Sequence, residues 1–316
     1  MSEDRTTYLG SHSASGLLGV SPWSGRHDVY MEALGIQSKP PKKEEFQFWF
    51  GKRMEPVIKD CYERMTGKKL VAEQAFFRSS EYPFMACHVD SLVLRDDVPY
   101  STNHPYQDVD PKQIAERGYE AKTAHPMYAR EWGDADDAVP QSYYLQCQHN
   151  MIITGLRVWD LAVSIGTFFK IYPIQYDPTI SAVIIDTASK AWKEIQQLRK
   201  LIASEDPTDK RIASERLFQI AQKDEEAKKQ IVTAIWPRPT LHEEPVPEQH
   251  YGLFVQMMET NQNLKAEEGN WEELANKLRL AMGEWERWTG PGGVVEWRAW
   301  GQSRRFLVKP DAEHKA

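Results

Sequence analysis

The sequence predicts an α/β fold, with a central mixed β-sheet flanked by helices and a C-terminal helical extension, and three features of the chain predict it. Short apolar runs suited to strands lie at 83–94, 118–123, 157–165 and 167–173, bounded by turn-forming residues. Apolar residues recur at three- and four-residue intervals over 44–65 and 140–155, the period of a helix with one buried face. After Pro178 long charged amphipathic stretches take over, which puts a boundary near Tyr176: a mixed module at 1–175 and a helical extension at 176–316 ending in a short hairpin.

In chain order, residues 10–20 hold three glycines, small serines and Leu17-Leu18, and read as a loop entering a short helix. Phe50, Met54, Val57, Ile58, Cys61 and Met65 form the apolar stripe of a helix beginning near Glu44, with Gly67 as its C-cap. Pro56 lies within that stripe and is expected to kink the helix or open its second part. The polar stretch between the first two strands carries Asp96, Asp97, Asp108 and Asp110 with several prolines, and is a long connection. Pro140 suits the start of the next helix, whose Tyr144, Leu145, Gln148, Met151 and Ile152 share a side. Gly166 makes a tight hairpin of the last two strands. In the extension, helices are expected from Ile180 to Ile202 and from 208 to about 235, broken at Asp206-Pro207. Pro237, Pro239, Pro245 and Pro247 mark a linker, helix resumes to Trp288, and 294–308 suits a hairpin.

The chain has 316 residues, 41% of them hydrophobic, enough to bury a sizeable core. No stretch approaches the roughly 18 apolar residues of a membrane span, and the first residues lack a secretory apolar run, so a cytoplasmic protein is the expectation. Cys61, Cys87 and Cys147 are scattered and odd in number, which suits neither a disulfide framework nor a metal knuckle. A net charge of −7 argues against coating nucleic acid by bulk electrostatics. Local positive charge can still hold a phosphate; Lys42, Lys43, Lys52, Arg53, Arg64, Lys68 and Lys69 are its candidates, each taken singly better read as an ordinary solvated charge.

Glu120 and Lys122 are two apart on a predicted strand, which puts both on one face. Asp90 ends the apolar run Phe84-Met85-Ala86-Cys87-His88-Val89, where an uncompensated carboxylate is costly. A bound cation removes that cost: two carboxylates and a main-chain carbonyl are hard oxygen donors suited to Mg²⁺ or Mn²⁺. Lys122 beside such a cation is placed to orient or deprotonate a water attacking a phosphate and to offset charge on phosphorus. An aspartate followed by Glu-x-Lys is, alone, a weak signal.

Its company is more specific. Leu9-Gly10-Ser11-His12-Ser13-Ala14-Ser15-Gly16-Leu17-Leu18-Gly19 with Ser21-Pro22-Trp23 is followed by Phe50-Gly51-Lys52-Arg53-Met54-Glu55-Pro56, with Tyr62 and Thr66-Gly67 downstream. Met85-Ala86-Cys87-His88-Val89-Asp90, Tyr119-Glu120-Ala121-Lys122-Thr123 and Tyr144-Leu145-Gln146-Cys147-Gln148-His149-Asn150-Met151 complete the order. Over residues 5–155 this succession resembles the lambda-exonuclease-like, YqaJ-type viral recombinase nucleases of the PD-(D/E)xK superfamily.

The resemblance implies a restriction-endonuclease-like core in which Asp90, Glu120, Glu55 and the Ala121 carbonyl hold one or two Mg²⁺ or Mn²⁺ ions. It implies that Lys122 serves the water and that Gln146 supports the nucleophile. Arg5 with Ser11, His12 or Ser13, and also His88, would hold a terminal 5′ phosphate, and Tyr144 would either touch DNA or pack in the core. The implied activity is 5′→3′ digestion of double-stranded DNA ends, leaving 3′ single strands for recombination, with a single-strand annealing protein as partner and a ring-shaped homo-oligomer as a possible assembly. Two departures stand out: Ser91 follows the aspartate where relatives usually have glycine, and residues 95–117 form an insertion. Three scattered cysteines exclude the iron–sulfur branch of the superfamily. A structure-specific endonuclease on the same core and a catalytically silent DNA-binding protein are the rival readings.

Overall fold

The computed structural model describes residues 3–36, 46–101, 106–136, 138–222, 224–236, 240–262, 268–300 and 303–310. Lys42, Lys43 and Glu44 lie outside these residues, as do Pro237 and Pro239. The chain divides into two compact units, Met1–Ala33 with Pro40–Lys193, and Leu34–Lys39 with Glu194–Ala316.

The first unit begins with two short helices, α1 (Ser13–Leu17) and α2 (Arg26–Ala33), and the long helix α3 (Phe46–Thr66). Pro56 is carried inside α3, which continues past it, and Gly67 at φ +73° closes the helix through its N–H to the Glu63 carbonyl. Seven strands follow: β1 (Leu70–Val71), β2 (Phe76–Arg78), β3 (Ala86–His88), β4 (Ser91–Leu94), β5 (Ala115–Ala124), β6 (Val158–Ile165) and β7 (Phe168–Gln175). The short helix α4 (Pro111–Ile114) leads into β5, capped by Asp110, whose carboxylate accepts from the Lys112 N–H. Helix α5 (Gln141–Thr154) connects β5 to β6.

Five strands form one sheet in the order β1-β4-β5-β6-β7. Every pairing is antiparallel except β5 with β6, and that parallel step needs the crossover that α5 supplies. Alternation along the strands sends side chains to two cores. Ile58 and Tyr62 of α3 pack with Val93, Tyr119, Ala121 and Ala162. Cys147 and Met151 of α5 pack with Leu92, Leu94, Trp159, Leu161 and Val163. The sheet therefore lies between α3 and α5, and Glu120 and Lys122, out of phase with Tyr119 and Ala121, point to the α5 side.

The single strand expected at 83–94 is two. β3 pairs with β2 in a separate two-stranded sheet, whereas β4 joins the main sheet, and the chain bends between them at Asp90. The bend takes Asp90 out of the ladder, so its carboxylate is not forced into either core. The hairpin at Gly166 and the helix ending at Gly155 stand where the sequence put them.

Helix α6 (Pro178–Ala203) runs across the division between the units. The second unit contains α7 (Pro207–Ala221), α8 (Glu225–Ile235), α9 (Tyr251–Gln262) and α10 (Glu268–Met282). It also contains a four-stranded sheet, which corrects the expectation of a helical extension with one hairpin. β8 (Thr240–Pro245) occupies the proline-marked stretch and pairs parallel with β9 (Trp285–Gly290), which takes the place of the expected end of the last helix. β10 (Gly293–Trp300) and β11 (Ser303–Pro310) are the expected hairpin. Trp288 and Trp297 are each 1% exposed, so their burial on the sheet stabilises this unit and removes them from any surface role.

Gly118 leaves room for one aromatic ring: a Cβ there would overlap the ring of Trp159, its fully buried partner across β5 and β6. Gly118→Ala is expected to destabilise the protein by about 1–3 kcal/mol through overpacking, read from the midpoint of urea unfolding.

Candidate active site

Glu120 is 3% exposed, an unusual position for a carboxylate, and its neighbours show what compensates it. Its Oε1 accepts from the Lys122 ammonium at 2.6 Å and from the Gln146 amide, Nε2, also at 2.6 Å. The first contact comes from two residues along the same strand face and the second from α5. Its other oxygen, Oε2, is buried without a hydrogen-bond partner among the described residues, and so is Gln146 Oε1. Two acceptors facing inward with no donor are costly unless something positive lies between them.

Asp90 reaches the same place from the bend between β3 and β4. Its Oδ2 accepts from the Ala121 N–H at 2.8 Å, which ties the bend to β5. Gln74 contributes a longer contact to Oδ1 at 3.4 Å, from a turn in which Ala72 and Gln74 have φ of 54° and 56°. Loss of hydration, then the charge of Glu120, push Asp90 up to about 7, outweighing Lys122 and the hydrogen bonds. For Lys122 burial acts downward, but Glu120 and Asp90 outweigh it and raise the amine above its ordinary value. The ring of Tyr143, on α5, faces its ammonium with the centroid 5.2 Å from Nζ. Glu55, half-buried on α3, is raised by burial and by Asp90 and lowered by Lys122, which puts it within electrostatic reach of both.

Five of the residues singled out from the sequence, Asp90, Glu120, Lys122, Gln146 and Glu55, thus converge, with Ala121 between them. Among the described residues no group of three His, Cys, Asp or Glu side chains is arranged to hold a metal ion. The donors are instead two carboxylates and neighbouring amide oxygens, a hard, incomplete set that suits a small divalent cation retaining part of its water shell. The orphaned Oε2 of Glu120 and the strain between Asp90 and Glu120 are what such a cation would relieve, so the residues fit it.

The second group is less uniform. Arg5 lies close enough to affect both His12 and His88, and it also pairs at 3.9 Å with Glu32. Partial desolvation, then the charges of Lys122 and Arg5, push His12 below the usual imidazole range. Ser11 is buried and donates its hydroxyl to Asn150 Oδ1 at 2.7 Å, and Ser13 is buried in α1. The Ser11 hydroxyl is thus spent on α5. His88 is exposed and lies against Phe76. Tyr144 packs against the α5 side core.

Tyr143, which the sequence reading did not single out, lies with its ring at the Lys122 ammonium, and its signal was present: it lies three residues before Gln146, on the same helix face. Gln74 carried no comparable signal, since its approach depends on a left-handed turn between strands distant from β5.

Residues 2–157 match the family model described as the YqaJ-like viral recombinase domain. The chain is 25% identical over 199 residues to the uncharacterized protein YqaJ of Bacillus subtilis (strain 168), a match covering 63% of this chain and 50% of that protein. The chain therefore spans half the length of that relative. Among solved structures it is similar to an alkaline exonuclease from Laribacter hongkongensis, at 15% identity and a TM-score of 0.47, covering 62% of this chain and 91% of that one. It is also similar to a phage-related exonuclease from Haemophilus somnus 129PT, at 13% identity and a TM-score of 0.45, covering 62% and 96%.

Asp90 holds its proton more tightly folded than unfolded, so its contribution to the stability of the metal-free protein is fully present below 3.8 and is lost as pH rises from there through about 7. Thermal melts in chelator between about pH 5 and about pH 7.5 are expected to show that fall, and Asp90→Asn to flatten it. A slope unchanged by the substitution would assign it to other groups.

Proposed function

We propose, from the match of residues 2–157 to the YqaJ-like viral recombinase domain, that this chain is a divalent-metal-dependent deoxyribonuclease that hydrolyses DNA from double-stranded ends in the 5′→3′ direction, leaving 3′ single strands for recombination. The observation that carries the reading is the buried Glu120 carboxylate, gripped on one oxygen by Lys122 and Gln146 and left open on the other, with Asp90 beside it.

Asp90, Glu120 and the Ala121 carbonyl are the residues that would hold Mg²⁺ or Mn²⁺, with Glu55 approaching from α3. When bound, the ion supplies Lewis-acid polarisation of the phosphate and makes a neighbouring water more acidic. Lys122, held protonated by its acidic neighbours, orients the attacking water as a donor and offsets negative charge growing on the phosphate. Gln146 fixes the Glu120 carboxylate with its amide N–H and turns its own free oxygen toward the site, as an acceptor for a water proton. Arg5, with His12 and His88 nearby, is the candidate for a 5′-terminal phosphate; the buried serines are the weaker part of that group. A single-strand annealing partner and a ring-shaped homo-oligomer belong to the same reading.

The test is digestion of linear duplex labelled at either end, with covalently closed circles alongside. Mg²⁺-dependent loss of the 5′ label first, with circles intact, is expected; cutting of circles would favour the endonuclease alternative, and no cutting at all the silent DNA-binding one. Asp90→Ala and Lys122→Ala are each expected to lower the rate by roughly 10²–10⁴-fold with the fold retained by circular dichroism. Arg5→Ala should slow digestion of 5′-phosphorylated ends selectively; equal slowing of unphosphorylated ends would remove Arg5 from a phosphate pocket.

A further inference from the structure

Lysine has a flexible stem, and an ammonium that must meet a water at one point needs more than one restraint. Lys122 Nζ donates to Glu120 Oε1 and lies against the face of Tyr143. Tyr143 itself packs against two further rings: the Trp23 ring lies 5.7 Å away at 33°, and the Trp132 ring 5.6 Å away at 29°. Trp132 is buried and continues to Tyr172, whose hydroxyl donates to the Gly133 carbonyl, so the inner end of this aromatic column is anchored to the β7 side of the sheet. Its outer end, Trp23, is 63% exposed.

Two spacings meet here. Glu120 and Lys122 are i and i+2 on β5; Tyr143 and Gln146 are i and i+3 on α5. The strand pair and the helix pair therefore face each other in register, Gln146 on the carboxylate and Tyr143 on the ammonium.

We propose that Tyr143 is the positioning residue for Lys122, its π face holding the ammonium where Glu120 alone would leave it free to swing, with Trp23 and Trp132 holding the ring. The proposal rests on the nuclease reading for its effect on rate, but the contact itself does not. Tyr143 acts through Lys122 and touches no reacting atom. The ring rather than the hydroxyl carries the role, so phenylalanine preserves it and an apolar residue of similar bulk does not.

The experiment compares the wild type with Tyr143→Phe, Tyr143→Leu and, as a second apolar replacement closer in bulk, Tyr143→Met. Each is measured for kcat and KM on linear duplex with Mg²⁺, and for acylation of Lys122 by an amine-reactive ester, followed by peptide mass spectrometry without DNA or metal. Loss of a desolvated cation–π contact is expected to lower kcat about tenfold in the Leu and Met variants with KM unchanged. Their Lys122 should acylate several-fold faster, and the Phe variant should match the wild type in both measurements. Wild-type kcat and acylation in the Met variant would overturn the proposal. So would a Phe variant as impaired as Met, which would assign the role to the hydroxyl, or a rise in KM alone, which would make the ring a DNA contact. If the wild type digests no DNA, the nuclease reading fails while the acylation comparison still decides whether the ring restrains the amine.

Discussion

The structure of the first unit depends on one arrangement: a carboxylate buried on a sheet face, Glu120, compensated on only one of its two oxygens. Burying a charged group costs several kcal/mol unless partners replace water. The partners here come from two directions, Lys122 along the strand and Gln146 from the crossover helix, while the Asp90 carboxyl, tied to β5 through the Ala121 N–H, opposes Glu120 as a like charge. No element can move without leaving one of these groups worse solvated, so the site fixes the relation of β5, α5 and the β3–β4 bend as firmly as the apolar cores do.

That arrangement needs specific backbone around it. A parallel β5–β6 step requires a crossover, and the crossover puts α5 over the face that Glu120 and Lys122 share. Gly118 lets Trp159 lie flat against β5 just below the acidic pair, so the strand can be both tightly packed and charged within three residues. Asp90 comes from a bend because a regular strand would have sent it into one core or the other. Ser91 adds to that bend: its hydroxyl donates to the Asp90 carbonyl at 2.6 Å.

What the sequence made legible follows from how local each signal was. The Glu120–Lys122 pair, the α5 helix and the Gly166 hairpin are set by residues within a few positions of one another, and periodicity finds them. The break at Asp90 was invisible in the run from Phe84 to Leu94, because it arises from β3 and β4 choosing partners far away in the chain. The second unit was misread for the same reason: β8 is a strand only through its parallel pairing with β9, and nothing inside Thr240–Pro245 announces that. Tyr143 is legible through helix geometry: adjacent residues on a helix point about 100° apart, and of the two neighbouring tyrosines Tyr143 is the one that shares a face with Gln146. The serines of the N-terminal motif were read as ligands, yet the motif's small side chains also suit close packing of α1 on α5, where Ser11 is hydrogen-bonded inward.

The same electrostatics explain how a chain of net charge −7 can act on a polyanion. On the nuclease reading, three carboxyl groups, Glu55, Asp90 and Glu120, share the site with the Lys122 ammonium, and a phosphate brought there without a cation meets like charge. A divalent ion relieves Asp90 and Glu120 of each other and offers the phosphate an opposite charge, so ion and DNA each raise the affinity of the site for the other, and that coupling is reciprocal by thermodynamic necessity. On that same reading selectivity would reside in the site rather than in the surface: without bulk positive charge, non-specific binding along duplex DNA is weak, and productive binding would depend on the DNA reaching the place where cation, ammonium and phosphate balance.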